Sequence, residues 1–250
     1  RDYYASRGLG DVYKRQISVC VAAFNGEKYI EEQILSVLRN LDSQDEIIIS
    51  DDGSSDRTRR IVDDLAEKDR RIRIIDGPRK GLIKNFENAI VHSKGDIIFL
   101  CDQDDVWKDN KVKTVLDIFG NTDCTLVMHD ACIVDANLRI SGCSFFEFKK
   151  CKKGYWRNLI KNSYIGCCMA FKRSILDYAI PFPDNIPMHD QWIGLLSERV
   201  GKVEFCNEQL LLYRRHSNNA SEMTHLPLGE MVKNRAIMLK CINKRIREKK

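Results

Sequence analysis

A short apolar run that leads straight into carboxylates lies at Asp96-Ile97-Ile98-Phe99-Leu100-Cys101-Asp102-Gln103-Asp104-Asp105. The apolar part has the length of a strand buried on both faces, as in a parallel sheet. Two carboxylates, Asp102 and Asp104, follow at the point where this strand ends. Since ligands of open parallel sheets bind beyond the carboxyl ends of the strands, we expect a binding site here.

The same unit of apolar run, polar loop and amphipathic segment recurs upstream. Apolar runs at residues 17–22, 46–50 and 71–75 precede segments with apolar residues at helical spacing, such as residues 82–92. This alternation is typical of βαβ units. The sequence therefore predicts an α/β fold with a Rossmann-like, mostly parallel sheet and helices on both faces.

The pattern is looser downstream of this region. A helical stripe at residues 112–119 is followed by Gly120, which we expect to cap the helix. Short strands are predicted at residues 125–128 and 167–171, and a helix at residues 190–200.

Composition excludes several classes of protein. The chain has 250 residues and is 43% hydrophobic, enough for one sizeable core. It has no apolar run of the roughly 20 residues that cross a bilayer and no signal-peptide pattern, so we expect a cytosolic protein. Ten cysteines occur without a C-x-x-C pair, which favours reduced thiols over a disulfide framework.

The net charge of +5 is concentrated in the last stretch of the chain. Apolar residues recur near helical spacing between Met231 and Ile246, with lysines and arginines among them. Two readings remain open: the apolar stripe packs on the domain, or the tail contacts anionic lipid headgroups. Nucleic acid is not expected as a partner, because the tail has no interleaved aromatic residues for base stacking.

The carboxylates at the strand ends suit two kinds of ligand. Asp102 and Asp104 at alternate positions can hold Mg²⁺ or Mn²⁺, which favour carboxylates, phosphates and water. Asp51 and Asp52, after the second strand, can accept hydrogen bonds from a base or from ribose hydroxyls. The alternative for both clusters is a solvated turn that caps the following helix.

Three motifs together resemble family 2 glycosyltransferases of the GT-A fold. They are Ala23-Phe24-Asn25-Gly26, the run at residues 51–58 that begins Asp51-Asp52-Gly53, and the run at residues 101–107. The later segment at residues 213–221 is similar to the bacterial rhamnosyltransferase-like branch that builds cell-surface polysaccharides. The resemblance implies a nucleotide-diphosphate sugar as donor, with dTDP-rhamnose or a UDP-sugar both open, and a glycan or lipid-linked acceptor.

The resemblance also implies roles for individual residues. Asp104 and His216 would hold the divalent cation, and Asp190 would be the base that deprotonates the acceptor hydroxyl in an inverting transfer. The donor would be bound by Ala23, Phe24, Asn25, Asp51, Asp52, Asn85, Asp102, Gly166, Arg214 and Arg215.

The domain boundaries follow from the same resemblance. Residues 1–15 lack periodicity, and we expect a non-native or disordered leader there. The glycosyltransferase domain is predicted at residues 16–221, with a nucleotide-sugar half at 16–120 and an acceptor half at 121–221. A basic helical tail follows at residues 222–250, where membrane contact would place the protein at the inner face of the plasma membrane.

Three alternative functions remain open. Two His-Asp pairs, at residues 129–130 and 189–190, would suit a metal-dependent phosphohydrolase. A sugar nucleotidyltransferase would use a similar sheet, but it normally has a glycine-rich phosphate loop after the first strand. The third alternative is a carbohydrate-binding domain that keeps the fold without the activity.

Overall fold

A nine-stranded mixed sheet forms the centre of the computed structural model, which describes residues 15–216 and 227–249. Within these residues the strands run in the spatial order β3-β2-β1-β4-β8-β6-β9-β5, and β7 pairs with β6. The strands are β1 Ile17–Ala23, β2 Glu46–Asp51, β3 Ile72–Asp76, β4 Ile97–Asp102, β5 Val106–Trp107, β6 Leu126–Val134, β7 Ile140–Ser144, β8 Met169–Lys172 and β9 Val203–Arg214.

Helices connect and cover the strands. The α-helices are α1 Ile30–Leu38, α2 Thr58–Ala66, α3 Leu82–His92, α4 Lys111–Asn121, α5 Phe145–Lys149, α6 Tyr155–Ile160, α7 Leu176–Ala179, α8 His189–Val200 and α9 Leu228–Glu248. Their apolar positions recur every three or four residues, so each long helix buries one stripe, as Ile30, Ile34 and Val37 do in α1.

The parallel half of the sheet confirms the predicted α/β fold. Strands β3, β2, β1 and β4 are parallel neighbours, and every residue of β1 is buried. The order reverses at β1, because β2 lies on one side of it and β4 on the other. The register pairs Ala23 with Asp51 and Ala22 with Asp102. The two acidic loops therefore flank the end of one strand, as the sequence pattern indicated.

The second half of the domain is more regular than predicted. The strand expected at residues 125–128 extends as β6 over Leu126–Val134, and β9 was not predicted. The strand expected at 167–171 begins only at Met169, because Gly166–Cys168 forms a 3-10 turn. Gly120 is not a cap, since α4 continues through it to Asn121.

The basic tail forms helix α9, whose apolar stripe packs on the domain. Met238 and Ile242 are fully buried, and the helix contacts α6 and α8. Of the two readings of the tail, the packed stripe is therefore the one seen in the structure. None of the helices in the described residues is long and apolar enough to cross a membrane.

Nine cysteines within the described ranges carry free thiols, and six of them are buried. Three parts of the chain lie outside the described residues: the predicted leader up to residue 14, residues 217–226 at the end of the predicted domain and the start of the predicted tail, and residue 250.

Candidate active site

A cavity of about 600 Å³ opens at the carboxyl ends of β1 and β4, where the strand order reverses. This is the position at which open α/β sheets bind ligands. Eight of the predicted site residues line it, namely Ala23, Phe24, Asp52, Asn85, Asp102, Asp104, Gly166 and Asp190. The other five predicted residues do not line it, namely Asn25, Asp51, Arg214, Arg215 and His216.

The loop after β1 is held by Gln103. The Phe24 backbone N–H donates to Gln103 Oε1 at 2.9 Å, and Gln103 Nε2 donates to the Phe24 carbonyl at 3.0 Å. This pair of bonds fixes the Phe24 backbone at the cavity wall, while the residue remains 54% exposed. An exposed aromatic ring at the edge of a cavity provides a face on which a planar base can stack.

Asp51 and Asn25 hold the loops of β1 and β2 together. Asp51 accepts hydrogen bonds from the backbone and the hydroxyl of Ser54, and the Ser54 hydroxyl also accepts from the Asn25 backbone N–H. Asn25 Oδ1 in turn accepts from the Ser55 backbone N–H at 2.8 Å. These contacts match the alternative, turn-forming role of the acidic cluster, and direct donor contact by Asp51 and Asn25 stays a prediction.

Asp52 positions a loop that carries an unpredicted cation. Its Oδ1 accepts from the Arg79 backbone N–H at 2.6 Å, and its Oδ2 accepts from the Gly81 N–H at 2.8 Å. Arg79 has a left-handed backbone, with φ of 57°, and its exposed side chain lines the cavity. A non-glycine residue in this conformation carries some strain, and Asp52 holds it in place.

Asn85 is a buried amide at the junction of β1 and β2. Its Nδ2 donates to the Ala23 carbonyl at 3.2 Å and to the Ser50 carbonyl at 2.9 Å. Within the described residues its Oδ1 has no hydrogen-bond donor. The two donated bonds tie the ends of β1 and β2 together. Asn85 also lines the cavity, and contact of its Oδ1 with the donor stays a prediction.

The two predicted metal ligands meet. His216 Nε2 lies 2.8 Å from Asp104 Oδ2, and the two side chains are 13% and 14% exposed. The His216 ring also stacks on Tyr29, with 4.8 Å between the ring centroids. Two ligand atoms that face each other at the rim of the cavity fit a cation of the Mg²⁺ or Mn²⁺ type, with the imidazole favouring Mn²⁺ of the two.

Arg214 lies behind Asp104 instead of facing the cavity. Its Nε donates to the Asp104 carbonyl at 2.7 Å, its other guanidinium nitrogens donate to the Ala136 carbonyl and to Glu32, and its backbone N–H donates to Asp105 Oδ1. The residue is only 3% exposed. This arrangement supports a positioning role for Arg214, and it gives no support to direct phosphate contact.

Arg215, by contrast, is partly exposed, and its guanidinium donates to the Tyr213 hydroxyl.

A group of polar side chains lies at the acidic motif, with Asp105 and Cys167 buried and Asp102 partly exposed. Ligand atoms of Asp102, Asp105 and Cys167 lie within 4.8 Å of one another. Burial raises the pKa of Asp105 well above its usual range, and burial together with Asp104 and Asp190 raises the pKa of Asp102 to about 7. Burial also raises the pKa of the Cys167 thiol. A protonated thiol is a poor ligand for a hard cation, so this group fits the metal less well than Asp104 and His216.

Lys111 supports the turn that carries Gly166. Its Nζ is fully buried, donates to the Cys167 carbonyl at 2.7 Å and lies 3.9 Å from the centre of the Trp107 ring. The 3-10 turn at Gly166–Cys168 is therefore fixed from below by a buried cation.

Asp190 lies at the amino-terminal end of α8, on the cavity wall. Its carboxylate accepts a hydrogen bond from the backbone N–H of Gln191, and the nearby Gly166 backbone also favours the ionised form and so lowers the pKa. Burial nevertheless raises the pKa of Asp190 to about 7. A carboxylate with a pKa near neutrality is a stronger base than an ordinary aspartate and is still ionised in part at pH 7.

Several cavity residues were missed at the sequence level. Arg79, Gln103 and His189 line the cavity, and Asp105 lies directly beneath it. Position next to a motif could have identified three of them, because Gln103 and Asp105 belong to the acidic run and His189 precedes Asp190. Arg79 lies in a loop without a motif, and only the folded structure, in which Asp52 holds this loop at the cavity, identifies it.

The chain matches the sequence profile of Glycosyl transferase family 2 over residues 18–179. It is 27% identical over 213 residues to an uncharacterized glycosyltransferase of Nostoc sp., covering 82% of this chain and 66% of the relative. It is 26% identical over 188 residues to the Escherichia coli enzyme named UDP-Glc:alpha-D-GlcNAc-diphosphoundecaprenol beta-1,3-glucosyltransferase WfgD, covering 73% of this chain and 70% of the relative. To the Shigella flexneri dTDP-rhamnosyl transferase RfbG it is 36% identical over 112 residues, which cover 42% of this chain and 39% of the relative.

Solved structures share the fold at low sequence identity. Staphylococcus aureus TarS in complex with UDP-GlcNAc superposes with a TM-score of 0.71 and 18% identity, covering 90% of this chain and 66% of that chain. The mannosyltransferase PcManGT from Pyrobaculum calidifontis, in complex with GDP-Man and Mn²⁺, gives a TM-score of 0.62 and 17% identity, covering 94% of this chain and 65% of that chain. The present chain thus spans about two thirds of the length of the Nostoc relative and of both solved chains.

Proposed function

The chain belongs to Glycosyl transferase family 2, and on that premise we propose that it is an inverting glycosyltransferase that moves a sugar from a nucleotide-diphosphate sugar to an acceptor hydroxyl. The observation that supports this most is the composition of one cavity. Asp102 and Asp104 lie on its β4 side, and the raised-pKa carboxylate of Asp190 lies on its α8 side. A site with both a place for a charged donor and a base for an acceptor has the parts that the transfer needs.

The donor nucleotide would lie along the loops of β1 and β2. Phe24 would stack on the base, and the loop that Asp52 holds would carry the Arg79 guanidinium toward the diphosphate. Arg215, which is partly exposed, would supply a second cation. Asn25 and Asp51 would then act mainly by holding the two loops in register.

Asp104 and His216 would hold a divalent cation, Mg²⁺ or Mn²⁺. When bound, the cation would stabilise the negative charge on the nucleoside diphosphate that leaves. A diphosphate is a good leaving group, so the chain needs no general acid for this bond. Arg214, anchored to the Asp104 carbonyl, would keep Asp104 aimed at the rim of the cavity.

Asp190 would take the proton of the acceptor hydroxyl as the oxygen attacks the anomeric carbon. The bond to the new oxygen forms on the face opposite the departing diphosphate, which inverts the configuration. The hydrogen bond from the Gln191 backbone N–H would hold the carboxylate in one orientation. Fixed orientation at the reacting atom is itself a large part of catalysis.

The names of two relatives indicate the class of the donor and the class of the acceptor. The similarity to RfbG and WfgD, named for a dTDP-rhamnosyl and a UDP-glucosyl transfer, supports dTDP-rhamnose or a UDP-sugar as donor. The name of WfgD also supports a lipid-linked glycan as acceptor, made for a cell-surface polysaccharide. Such an acceptor would place the chain at the inner face of the plasma membrane, where exposed tail residues such as Lys233, Lys240 and Lys244 could meet anionic lipid.

Calorimetric titration of the chain with UDP, dTDP, GDP and ADP, each with and without Mn²⁺, tests the donor site. The proposal expects UDP or dTDP to bind in a Mn²⁺-dependent way and the purine nucleotides to bind more weakly. Binding of no nucleoside diphosphate in the presence of Mn²⁺ would contradict it.

A further inference from the structure

His189 is a polar side chain at the cavity whose ring nitrogens are not used by any other residue that the structure describes. It is 3% exposed, and its ring stacks on Phe86 with 4.2 Å between the centroids. Neither Nδ1 nor Nε2 has a hydrogen-bond partner within residues 15–216 and 227–249, although both atoms are buried. Since the ring lines the cavity, its partner is expected to come from the contents of the cavity.

The surroundings of His189 belong to the reaction centre. A Cβ placed on Gly166 would lie 3.1 Å from His189 Nε2, so the imidazole lies directly against the Gly166 backbone. The Gly166 backbone is also a neighbour of Asp190, the residue that follows His189 in the chain. Phe86, on which the ring stacks, follows Asn85, which lines the same cavity and whose Oδ1 has no hydrogen-bond partner among the described residues. A ligand bound to His189 would therefore touch the site of sugar transfer.

The chemistry of the ring selects the class of ligand. Burial lowers the pKa of His189 to about 3, so the imidazole is neutral at physiological pH. A neutral imidazole offers one donor and one acceptor, and it carries no charge for a phosphate or a carboxylate. A sugar hydroxyl both donates and accepts a hydrogen bond, so it matches the ring.

We propose that His189 is a specificity-determining residue that binds a hydroxyl group of a sugar substrate. This proposal rests on the proposed function, because it assigns to His189 a contact with a sugar substrate of that same site. An unpaired buried polar atom is destabilising, and a phenylalanine would fill the same space without leaving any polar atom unpaired. A ligand therefore accounts for the polar ring at this position, whereas packing alone does not require one.

Two arms of one experiment distinguish the donor sugar from the acceptor. His189→Phe keeps the aromatic stack and removes both nitrogens, His189→Gln keeps a donor and an acceptor, and His92→Leu replaces an exposed histidine at the end of α3. In the first arm, UDP is compared with UDP-glucose and dTDP with dTDP-rhamnose by calorimetry in Mn²⁺. In the second arm, nucleoside diphosphate release is followed with octyl N-acetylglucosaminide as the acceptor probe and with water alone.

If His189 binds a hydroxyl of the donor sugar, His189→Phe should weaken binding of the nucleotide sugar by about 10-fold or more, while the free nucleotide binds as before. If His189 binds a hydroxyl of the acceptor, His189→Phe should leave donor binding unchanged. Release of nucleoside diphosphate with water as the acceptor should also be unchanged, and transfer to the probe should be at least about 10-fold slower. In both cases His189→Gln restores part of the loss, His92→Leu matches the parent, and His189→Phe is at least as thermally stable as the parent.

Imidazole ¹⁵N spectra provide a readout that a packing role would not move. The signals of His189, identified by their absence in His189→Gln, should shift on binding of the nucleotide sugar or of the probe and stay in place with the free nucleotide. If His189→Phe binds and transfers like the parent in both arms, the proposal is overturned while the transferase function stands. If the parent binds no nucleoside diphosphate in Mn²⁺, the proposed function fails and this assignment fails with it.

Discussion

The Oδ2 atom of Asp104 lies 2.8 Å from the Nε2 atom of His216, although 112 residues separate them in the chain. The antiparallel pairing of β5 with β9 brings the two segments together, since Val106 pairs with Leu212. Arg214 then fastens the segments through the Asp104 carbonyl and the Asp105 carboxylate. The candidate metal ligands are thus positioned by the second half of the domain as much as by the acidic motif itself.

Asp104→Ala should abolish metal-dependent nucleotide binding and leave the fold intact, because the side chain lies at the rim of a cavity and not in the apolar core. Titration of UDP and dTDP with and without Mn²⁺, together with thermal unfolding, measures both effects. Asp109→Ala, which removes an exposed carboxylate five residues away, is the matched control. Equal Mn²⁺ dependence in Asp104→Ala and the parent would remove Asp104 from the metal site.

Asp190→Asn should keep donor binding and lose transfer by a factor of about 10² or more, since the amide has the same shape but cannot take a proton. Donor affinity from calorimetry and the turnover rate under saturating donor separate the two effects. Turnover at the parental rate would mean that another group is the base.

The turnover rate should rise with pH through about 7, because burial raises the pKa of Asp190 to about 7 and only the ionised carboxylate accepts a proton. The ionised fraction then increases about tenfold between pH 6 and pH 8. The residual rate of Asp190→Asn should lack this rise. A rate of the parent that is flat or falls over this range argues against Asp190 as the base.

Substitution of Arg214 should mainly lower stability, whereas substitution of the neighbouring Arg215 should mainly weaken nucleotide binding. Arg214→Ala removes a buried guanidinium that holds two carbonyls and Glu32, and it should lower the free energy of unfolding by at least about 2 kcal/mol. Arg215→Ala should cost less than about 1 kcal/mol, because its guanidinium is partly exposed, and it should weaken UDP or dTDP binding. Urea unfolding and calorimetry measure the two quantities. A stable Arg214→Ala variant with weakened phosphate binding would reverse this assignment.

Met238→Ala should destabilise the domain by about 2–5 kcal/mol, because Met238 is fully buried where α9 packs on the domain. Val232→Ala, at a residue of the same helix that is 61% exposed, is the control and should change stability by less than about 0.5 kcal/mol. Urea unfolding compares them. Equal stability of Met238→Ala and the parent would indicate that α9 does not pack on the domain in solution.

The first half of the fold could be predicted because its signals are local. The buried strands are short runs of β-branched residues, and parallel strands place their carboxyl ends, with Asp51 and Asp102, at one edge of the sheet. The helix Leu82–His92 was predicted with its observed bounds because its apolar stripe is clear and Gly81 precedes it. Each of these inferences needs only neighbouring residues.

The second half depends on contacts between distant segments. Strand β9 has an irregular burial pattern, with its first half partly exposed, so it has no clean alternation to read. The apolar run before Met169 looks like a strand, but Lys111 binds the Cys167 carbonyl and the segment turns. The positioning contacts of Arg214 could not be predicted for the same reason, since its partners Glu32 and Ala136 are close only in the folded chain.

The products that the chain forms from UDP-sugars and dTDP-sugars in Mn²⁺ test most directly whether this cavity catalyses glycosyl transfer. We predict that one of these donors releases nucleoside diphosphate, and that Asp190→Asn releases it at about one hundredth of the parental rate or less. Release of nucleoside monophosphate, or equal rates of nucleoside diphosphate release by the parent and by Asp190→Asn, would contradict the assignment of this cavity to glycosyl transfer.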